Sequence, residues 1–218
     1  MNNKKTTKPF VFLAITVIYT LLITFVDRQP VGLEGTSVGF SCFNTKVRDA
    51  VGFNPAWDKI TDVLMCISFL VAAYFALRGL ISLIKEKSFL KIDKELYILA
   101  GVYVLIGIIY VVFEKIPINY RPFLSPGETE IETSFPSTHV LIVTTILGTG
   151  IIKLKKIIAD KKIINVITVF SVIVILLTVI GRLLSGVHWF TDIIGGVLMS
   201  CTLIAAYDAI SARVSSKD

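Results

Sequence analysis

Six long apolar runs constrain the fold of this chain more than any other feature. Each run is close to the roughly 20 residues that a helix needs to cross the hydrocarbon core of a bilayer. Helices are expected because a span must satisfy its own backbone hydrogen bonds. The runs are Pro9–Val26, Ile60–Ile84, Leu96–Phe113, Ser137–Ile152, Ile163–Ile180 and Trp189–Ile210. The sequence therefore predicts an all-α integral membrane protein, a bundle of six transmembrane helices.

The composition is typical of a membrane protein, and it argues against nucleic acid as the partner of the basic residues. Of the 218 residues, 54% are hydrophobic and 17% are charged, whereas soluble domains carry about 25% charged residues. The net charge of +6 comes from basic residues in short links between the apolar runs. We therefore expect contact with anionic membrane lipids and none with nucleic acid. The length predicts a single domain, residues 1–218, with a core over residues 96–210.

The lysine-rich links predict the orientation of the chain. Lys85–Lys94 and Lys153–Lys162 alternate with the apolar runs so that they share one side with both chain ends. The positive-inside rule makes that side cytoplasmic. The opposite, outer side then holds Asp27–Asp58, Glu114–Phe135 and the turn Arg182–His188. We expect a multi-pass plasma-membrane protein with cytoplasmic termini and an active site that faces outside.

The segment Asp27–Asp58 is too polar to span. Its glycines, prolines and aromatic residues are typical of a loop or short helix lying at the membrane interface. A lid over a lipid site is the functional alternative. The run before it ends in Asp-Arg-Gln-Pro rather than in a small-residue cleavage site, so we expect Pro9–Val26 to be a retained helix.

The stretch Gly181–Asp192 carries an unusual set of side chains for a membrane border. Ionisable residues are costly there, so they indicate a functional site. His188 and Asp192 are four residues apart, which places them on one face of a helix. Arg182 precedes the histidine across a predicted turn. This pattern indicates a site that handles an anion.

Two further segments on the predicted outer side carry suitable residues. His139 follows Pro136-Ser137-Thr138 at the start of an apolar run, where Ser137 is a natural N-cap. Free N–H groups at such a helix start suit a phosphate group. Arg121, with its fork of donors, and Lys115 lie in the preceding polar loop.

Together these segments resemble the type 2 phosphatidic acid phosphatase superfamily, membrane lipid phosphatases that share an active-site core with vanadium-dependent haloperoxidases. The resemblance covers Leu96 to Ile210. Its three motifs are Lys115-x5-Arg121-Pro122, Pro136-Ser137-Thr138-His139 and Arg182-x5-His188-x3-Asp192. It implies a lipid phosphatase with a phosphohistidine intermediate.

The resemblance also implies a role for each matching residue. His188 corresponds to the nucleophile, and Asp192 to the carboxylate that orients its ring. His139 corresponds to the general acid that protonates the leaving oxygen and later activates water. The phosphate-binding residues it implies are Lys115, Arg121, Arg182, Ser137 and the backbone N–H of Thr138. No metal and no cofactor are implied, because positive side chains replace the cation.

The chain departs from the family pattern at three places. The first motif has five residues between Lys115 and Arg121 instead of six, and Glu114 stands where the lysine is expected. Thr138 replaces the usual glycine of the second motif. Gly181 replaces the usual serine of the third.

Three functions fit this sequence. The leading one is a metal-independent hydrolase of phosphatidate, phosphatidylglycerophosphate or a polyprenyl pyrophosphate such as undecaprenyl pyrophosphate. A phosphotransferase would use the same phosphohistidine with an acceptor alcohol. A non-catalytic transporter or degenerate family member is the third. The oligomeric state also stays open.

Overall fold

The fold is built from helices. The computed structural model describes residues 3–124 and 129–215, and within them the chain forms seven α-helices and no extended strand. The helices are α1 (Asn3–Phe25), α2 (Ser41–Val51), α3 (Pro55–Glu86), α4 (Lys94–Lys115), α5 (Thr138–Ile157), α6 (Lys161–Ser185) and α7 (Phe190–Ser215). The predicted all-α class is confirmed.

Short polar side chains start three of the long helices. Asn54 Oδ1 accepts a hydrogen bond from Ala56 N at 3.1 Å, and Asp93 Oδ1 accepts one from Glu95 N at 2.9 Å. Asp160 Oδ1 accepts from Lys162 N at 2.7 Å. Each cap satisfies an N–H group that has no partner inside its helix.

Five helices are long and apolar enough to cross a membrane: α1, α3, α4, α6 and α7. They match five of the six predicted spans. The other predicted span, Ser137–Ile152, forms α5 at the expected place, but α5 is not one of the five. It packs against α3, α6 and α7. Because much of its surface meets protein, it can carry polar residues, including Lys153, that a lipid-facing helix would not tolerate.

The close contact between α7 and the start of α5 sets the geometry of the site. A Cβ atom at Gly195 would lie 2.4 Å from the Phe135 ring, and one at Gly196 would lie 2.9 Å from Ser137 O. Only glycine allows this approach. The second and third motifs are thereby held against each other.

The predicted interfacial segment covers the end of the bundle where α7 begins. Asn44 of α2 donates Nδ2–H to Thr191 Oγ1 at 2.9 Å, and its Oδ1 accepts from Thr191 N at 3.3 Å. Phe43, the residue before Asn44, is half exposed and contacts the ring of Phe190, the first residue of α7. The helix α2 therefore packs on the start of α7 through both a polar and an aromatic contact.

The opposite end of the bundle is joined by buried ion pairs. Lys153 Nζ lies 2.9 Å from Glu95 Oε2 and also pairs with Asp93. Lys156 Nζ lies 2.6 Å from Glu95 Oε1. These contacts connect the start of α4 to the end of α5, so the lysine-rich links and the outer loops occupy opposite ends of the molecule.

Candidate active site

His188 lies in the tight turn between α6 and α7. The turn is made by Gly186, whose φ of 75° is left-handed, and a Cβ there would lie 2.0 Å from Gly52 O. The His188 ring is almost completely buried. Its Nδ1 lies 2.9 Å from the carbonyl oxygen of Ser134. Because a carbonyl only accepts, Nδ1 carries the hydrogen, and a neutral ring then has its lone pair on Nε2.

The Nε2 atom of His188 has no hydrogen-bond partner among the described residues. The residue lines a cavity of about 270 Å³ that Thr138 and Arg121 also line. A buried nitrogen lone pair without a partner is costly unless something occupies the space beside it. The arrangement suits a nucleophile that faces a bound group.

The surroundings of His188 favour its neutral form. Burial lowers the pKa of His188 well below its ordinary value, and the positive charges of Arg182, Arg121 and His139 lower that pKa further. A neutral imidazole is the form that can attack phosphorus.

The structure corrects the predicted role of Asp192. We expected its carboxylate to orient the ring of His188, but the Ser134 carbonyl occupies Nδ1 instead. The oxygens of Asp192 accept hydrogen bonds from Asn119 Nδ2 at 2.8 Å and from Trp189 N at 3.0 Å. The buried carboxylate therefore holds the backbone next to His188 and joins it to the loop after α4. The reason is that α7 begins only at Phe190, so His188 and Asp192 do not share a regular helix face.

Arg182 lies in the last turn of α6 and is fully buried. Its Nη1 pairs with the carboxylate of Asp58 and donates to Thr61 Oγ1 at 3.1 Å. Its Nε and Nη2 atoms have no partner among the described residues. The guanidinium therefore keeps donors available for an anion.

The second motif forms the start of α5, as predicted. Ser137 is the N-cap residue, and its backbone N–H donates to Asp192 O at 3.0 Å. Its buried Oγ has no partner among the described residues. Thr138 follows and lines the cavity. His139 is mostly buried and its Nε2 lies 2.7 Å from Asp62 Oδ1. The helix start thus places Thr138 at the cavity, next to residues with polar atoms that have no partner among the described residues.

The first motif places one of its two predicted cations at the cavity. Arg121 lines it and forms an ion pair with Glu132, with Nη2 and Oε2 2.6 Å apart. Lys115 is exposed and is not among the lining residues. Glu114 lines the cavity instead and accepts from Thr133 Oγ1 at 2.8 Å. At this position of α4 it is therefore Glu114, and not Lys115, that lies at the cavity, and phosphate binding by Lys115 stays a prediction.

Sequence reasoning missed five residues that contact the site. They are Asp58, Asp62, Asn119, Glu132 and Ser134. The four-residue spacing of the first two, at the outer start of a span, was a usable signal for one helix face. Ser134 contacts His188 through its backbone carbonyl, so no pattern of side chains in the sequence predicts this contact.

The arrangement can carry out phosphoryl chemistry. The His188 imidazole and the Arg121 guanidinium line the cavity, and the charges of Arg182 and His139 act on His188 from close by. This grouping suits attack on phosphorus with stabilisation of the oxygen charge. Among the described residues, no group of three His, Cys, Asp or Glu side chains is arranged to hold a metal ion.

Comparisons with known proteins show the family and the fold of the chain. The sequence profile of the PAP2 superfamily matches residues 95–214, more than half of the chain. Among solved structures, the chain is similar to the crystal structure of the first transmembrane PAP2 type phosphatidylglycerolphosphate phosphatase from Bacillus subtilis. The two share 17% identity with a TM-score of 0.68, over 95% of this chain and 98% of that one. At this identity the likeness shows a shared fold. No curated protein matches the chain at the threshold applied.

Proposed function

We propose that this chain, which belongs to the PAP2 superfamily, is a membrane-embedded phosphatase that hydrolyses a lipid phosphate or pyrophosphate through a phosphohistidine at His188. The observation that carries the proposal is the unpartnered Nε2 of His188 beside the cavity. Family membership and the membrane-type fold support it at the level of a lipid phosphatase.

The proposed reaction has two steps. In the first, Nε2 of His188 attacks phosphorus, the P–O bond of the ester or the pyrophosphate breaks, and the leaving oxygen takes a proton from His139. In the second, water attacks the phosphohistidine while His139 accepts its proton, and phosphate is released. Arg121 and Arg182 neutralise the phosphoryl oxygens as charge develops, so the reaction needs no metal.

The walls of the cavity support a lipid substrate. Tyr110 and Phe113 of α4 line it together with the polar groups. Tyr110 is half exposed on a helix whose apolar face meets the surroundings of the bundle. A lipid could therefore place its phosphate beside His188 while its chains remain in the membrane. The candidate lipids are phosphatidate, phosphatidylglycerophosphate, which the similar solved structure's name suggests, and a polyprenyl pyrophosphate.

The first prediction concerns His188. Purified protein in detergent should release phosphate from one of these three lipids with EDTA present, and His188→Asn should lower the rate by at least about 1,000-fold, since the nucleophile is lost. Brief reaction with a ³²P-labelled lipid and rapid quenching should trap an acid-labile phosphoprotein in the unsubstituted protein only.

The matched control is Asp49→Asn, in an exposed ion pair with Arg48 at 2.9 Å, which should keep full activity. Full phosphate release by the His188→Asn protein would refute the mechanism. Release that depends on an added acceptor alcohol would identify a phosphotransferase instead, and absence of both reactions would favour the non-catalytic alternative.

A further inference from the structure

The outer turns of α3 enter the active site although the helix lies outside the family match, which covers residues 95–214. Asp58 and Asp62 are one helical turn apart and face the same way. Asp58 pairs with Arg182, and Asp62 Oδ1 lies 2.7 Å from His139 Nε2. Helix α3, which carries none of the family motifs, therefore contacts Arg182 and His139, which belong to them.

The contact with Asp62 determines which atoms of His139 can react. A carboxylate accepts, so His139 Nε2 carries a hydrogen and donates it to Asp62. The other ring nitrogen, Nδ1, is buried and has no partner among the described residues. Nδ1 is thus the atom left to exchange a proton with a bound substrate.

Burial and nearby cations oppose a positive charge on His139, and the carboxylates of α3 act against that effect. Arg182 of α6 acts on His139 with a positive charge, and His188 and Arg121 lie in the same group of interacting residues. A protonated, mostly buried imidazole beside these cations is unfavourable unless a negative charge offsets them. The negative charges that act on it come from α3, Asp62 in direct contact and Asp58 farther away.

We propose that Asp62 is a positioning residue that holds His139 as the general acid. Asp62 fixes the ring through Nε2–H and stabilises the imidazolium. Nδ1–H then passes its proton to the leaving alkoxide as the P–O bond breaks and the bond from phosphorus to His188 forms. The neutral ring, still held by Asp62, takes a proton from water in the second step. This inference rests on the proposed phosphatase function.

The test compares two leaving groups in the Asp62→Asn variant. An alkoxide from a short-chain phosphatidate needs a proton as it leaves, whereas the stable anion from p-nitrophenyl phosphate does not. We expect kcat for phosphatidate to fall about 100-fold, and kcat for p-nitrophenyl phosphate to fall less than about threefold. The KM for phosphatidate should change little, because Asp62 is not among the residues that line the cavity.

Equal losses for both substrates, or no loss for phosphatidate, would overturn the proposal. If the asparagine variant does not fold, Asp62→Glu retains the charge but displaces it. In that variant too, phosphatidate turnover should fall more than p-nitrophenyl phosphate turnover, and an equal fall would overturn the proposal. Asp49→Asn is again the control, with both rates unchanged.

The same experiment separates this proposal from the proposed function. If the unsubstituted protein releases phosphate from none of the three candidate lipids and not from p-nitrophenyl phosphate, the phosphatase function itself fails. If it is active on phosphatidate and on p-nitrophenyl phosphate and only the leaving-group dependence is absent, the role of Asp62 fails while the function stands.

Discussion

The chemistry of His188 depends on two neighbours that do not belong to its own motif. The Ser134 carbonyl determines the tautomer, and the buried positive surroundings keep the ring neutral. A histidine is ordinarily half protonated near pH 6.5. We therefore expect the availability of the proposed nucleophile not to depend on pH in the neutral range.

The depressed pKa of His188 predicts how stability changes with pH. The unfolded chain binds a proton near pH 6.5 that the folded protein rejects, so this contribution to stability is complete above that pH and is lost as the pH falls below it. We expect a loss of about 1.4 kcal/mol per pH unit from this group. Denaturant unfolding in detergent between pH 7 and pH 5 measures it.

The His188→Asn variant is the comparison, since asparagine does not titrate. Its free energy of unfolding should fall less steeply with acid than that of the unsubstituted protein, because all other groups are shared. Identical slopes would mean that His188 binds a proton as readily in the folded protein as in the unfolded chain.

At the scale of elements, the packing of α3 on α6 explains one departure from the family pattern. A Cβ at Gly181 would lie 2.7 Å from Thr61 Cγ2 and 3.2 Å from Trp57 Cε3. The missing side chain lets α3 approach closely enough for Asp58 and Thr61 to contact Arg182. Gly181 therefore leaves room for the turn of α3 that carries Asp58 and Thr61.

This packing predicts the effect of restoring the usual serine. Gly181→Ser should lower the free energy of unfolding by about 1–3 kcal/mol, because the new side chain overpacks the contact with Thr61. Adding Thr61→Ser removes the clashing methyl group and keeps the hydroxyl, so the double variant should recover part of the loss. Thermal unfolding in detergent measures both.

Gly101→Ala is the matched control, since a Cβ at that helical position meets nothing within 4 Å. It should be neutral or slightly stabilising. If the Gly181→Ser protein were as stable as the control, the contact between α3 and α6 at Gly181 would have room for a side chain, and the prediction would be wrong.

At the scale of the whole molecule, the two ends of the bundle differ in composition. One end carries α2 and the candidate site, and the other carries the lysine-rich links and the ion pairs of Lys153 and Glu95. We propose from the positive-inside rule that the second end is cytoplasmic. The site would then take its substrate from the outer leaflet.

Cys42, exposed on α2, provides a test of this orientation. In a protein with Cys66 and Cys201 replaced by alanine, a membrane-impermeant maleimide should label Cys42 in intact cells. A second variant, with Ser88→Cys as its only cysteine in the link between α3 and α4, should be labelled only after lysis. The reverse pattern would invert the topology.

Most residues of the candidate site could be predicted from the sequence because they belong to the family motifs. His139, Arg121 and Arg182 were named from spacing and side-chain chemistry, and the structure brings them together with His188. The structure gives Lys115 and Asp192 surroundings other than the expected ones. Both differences arise at a helix end, where the ending of α4 and the late start of α7 decide the direction of the side chain.

The sequence by itself determined the membrane class, most of the helices and the type of chemistry. Apolar length and the cost of charge in lipid are properties of each segment alone, so they can be read without the fold. Only the tertiary structure decided the partners of the reactive groups: Ser134 for His188, Asp62 for His139 and Asp58 for Arg182. These partners lie between 54 and 124 residues away along the chain, and only the packing of helices from distant segments brings them into contact.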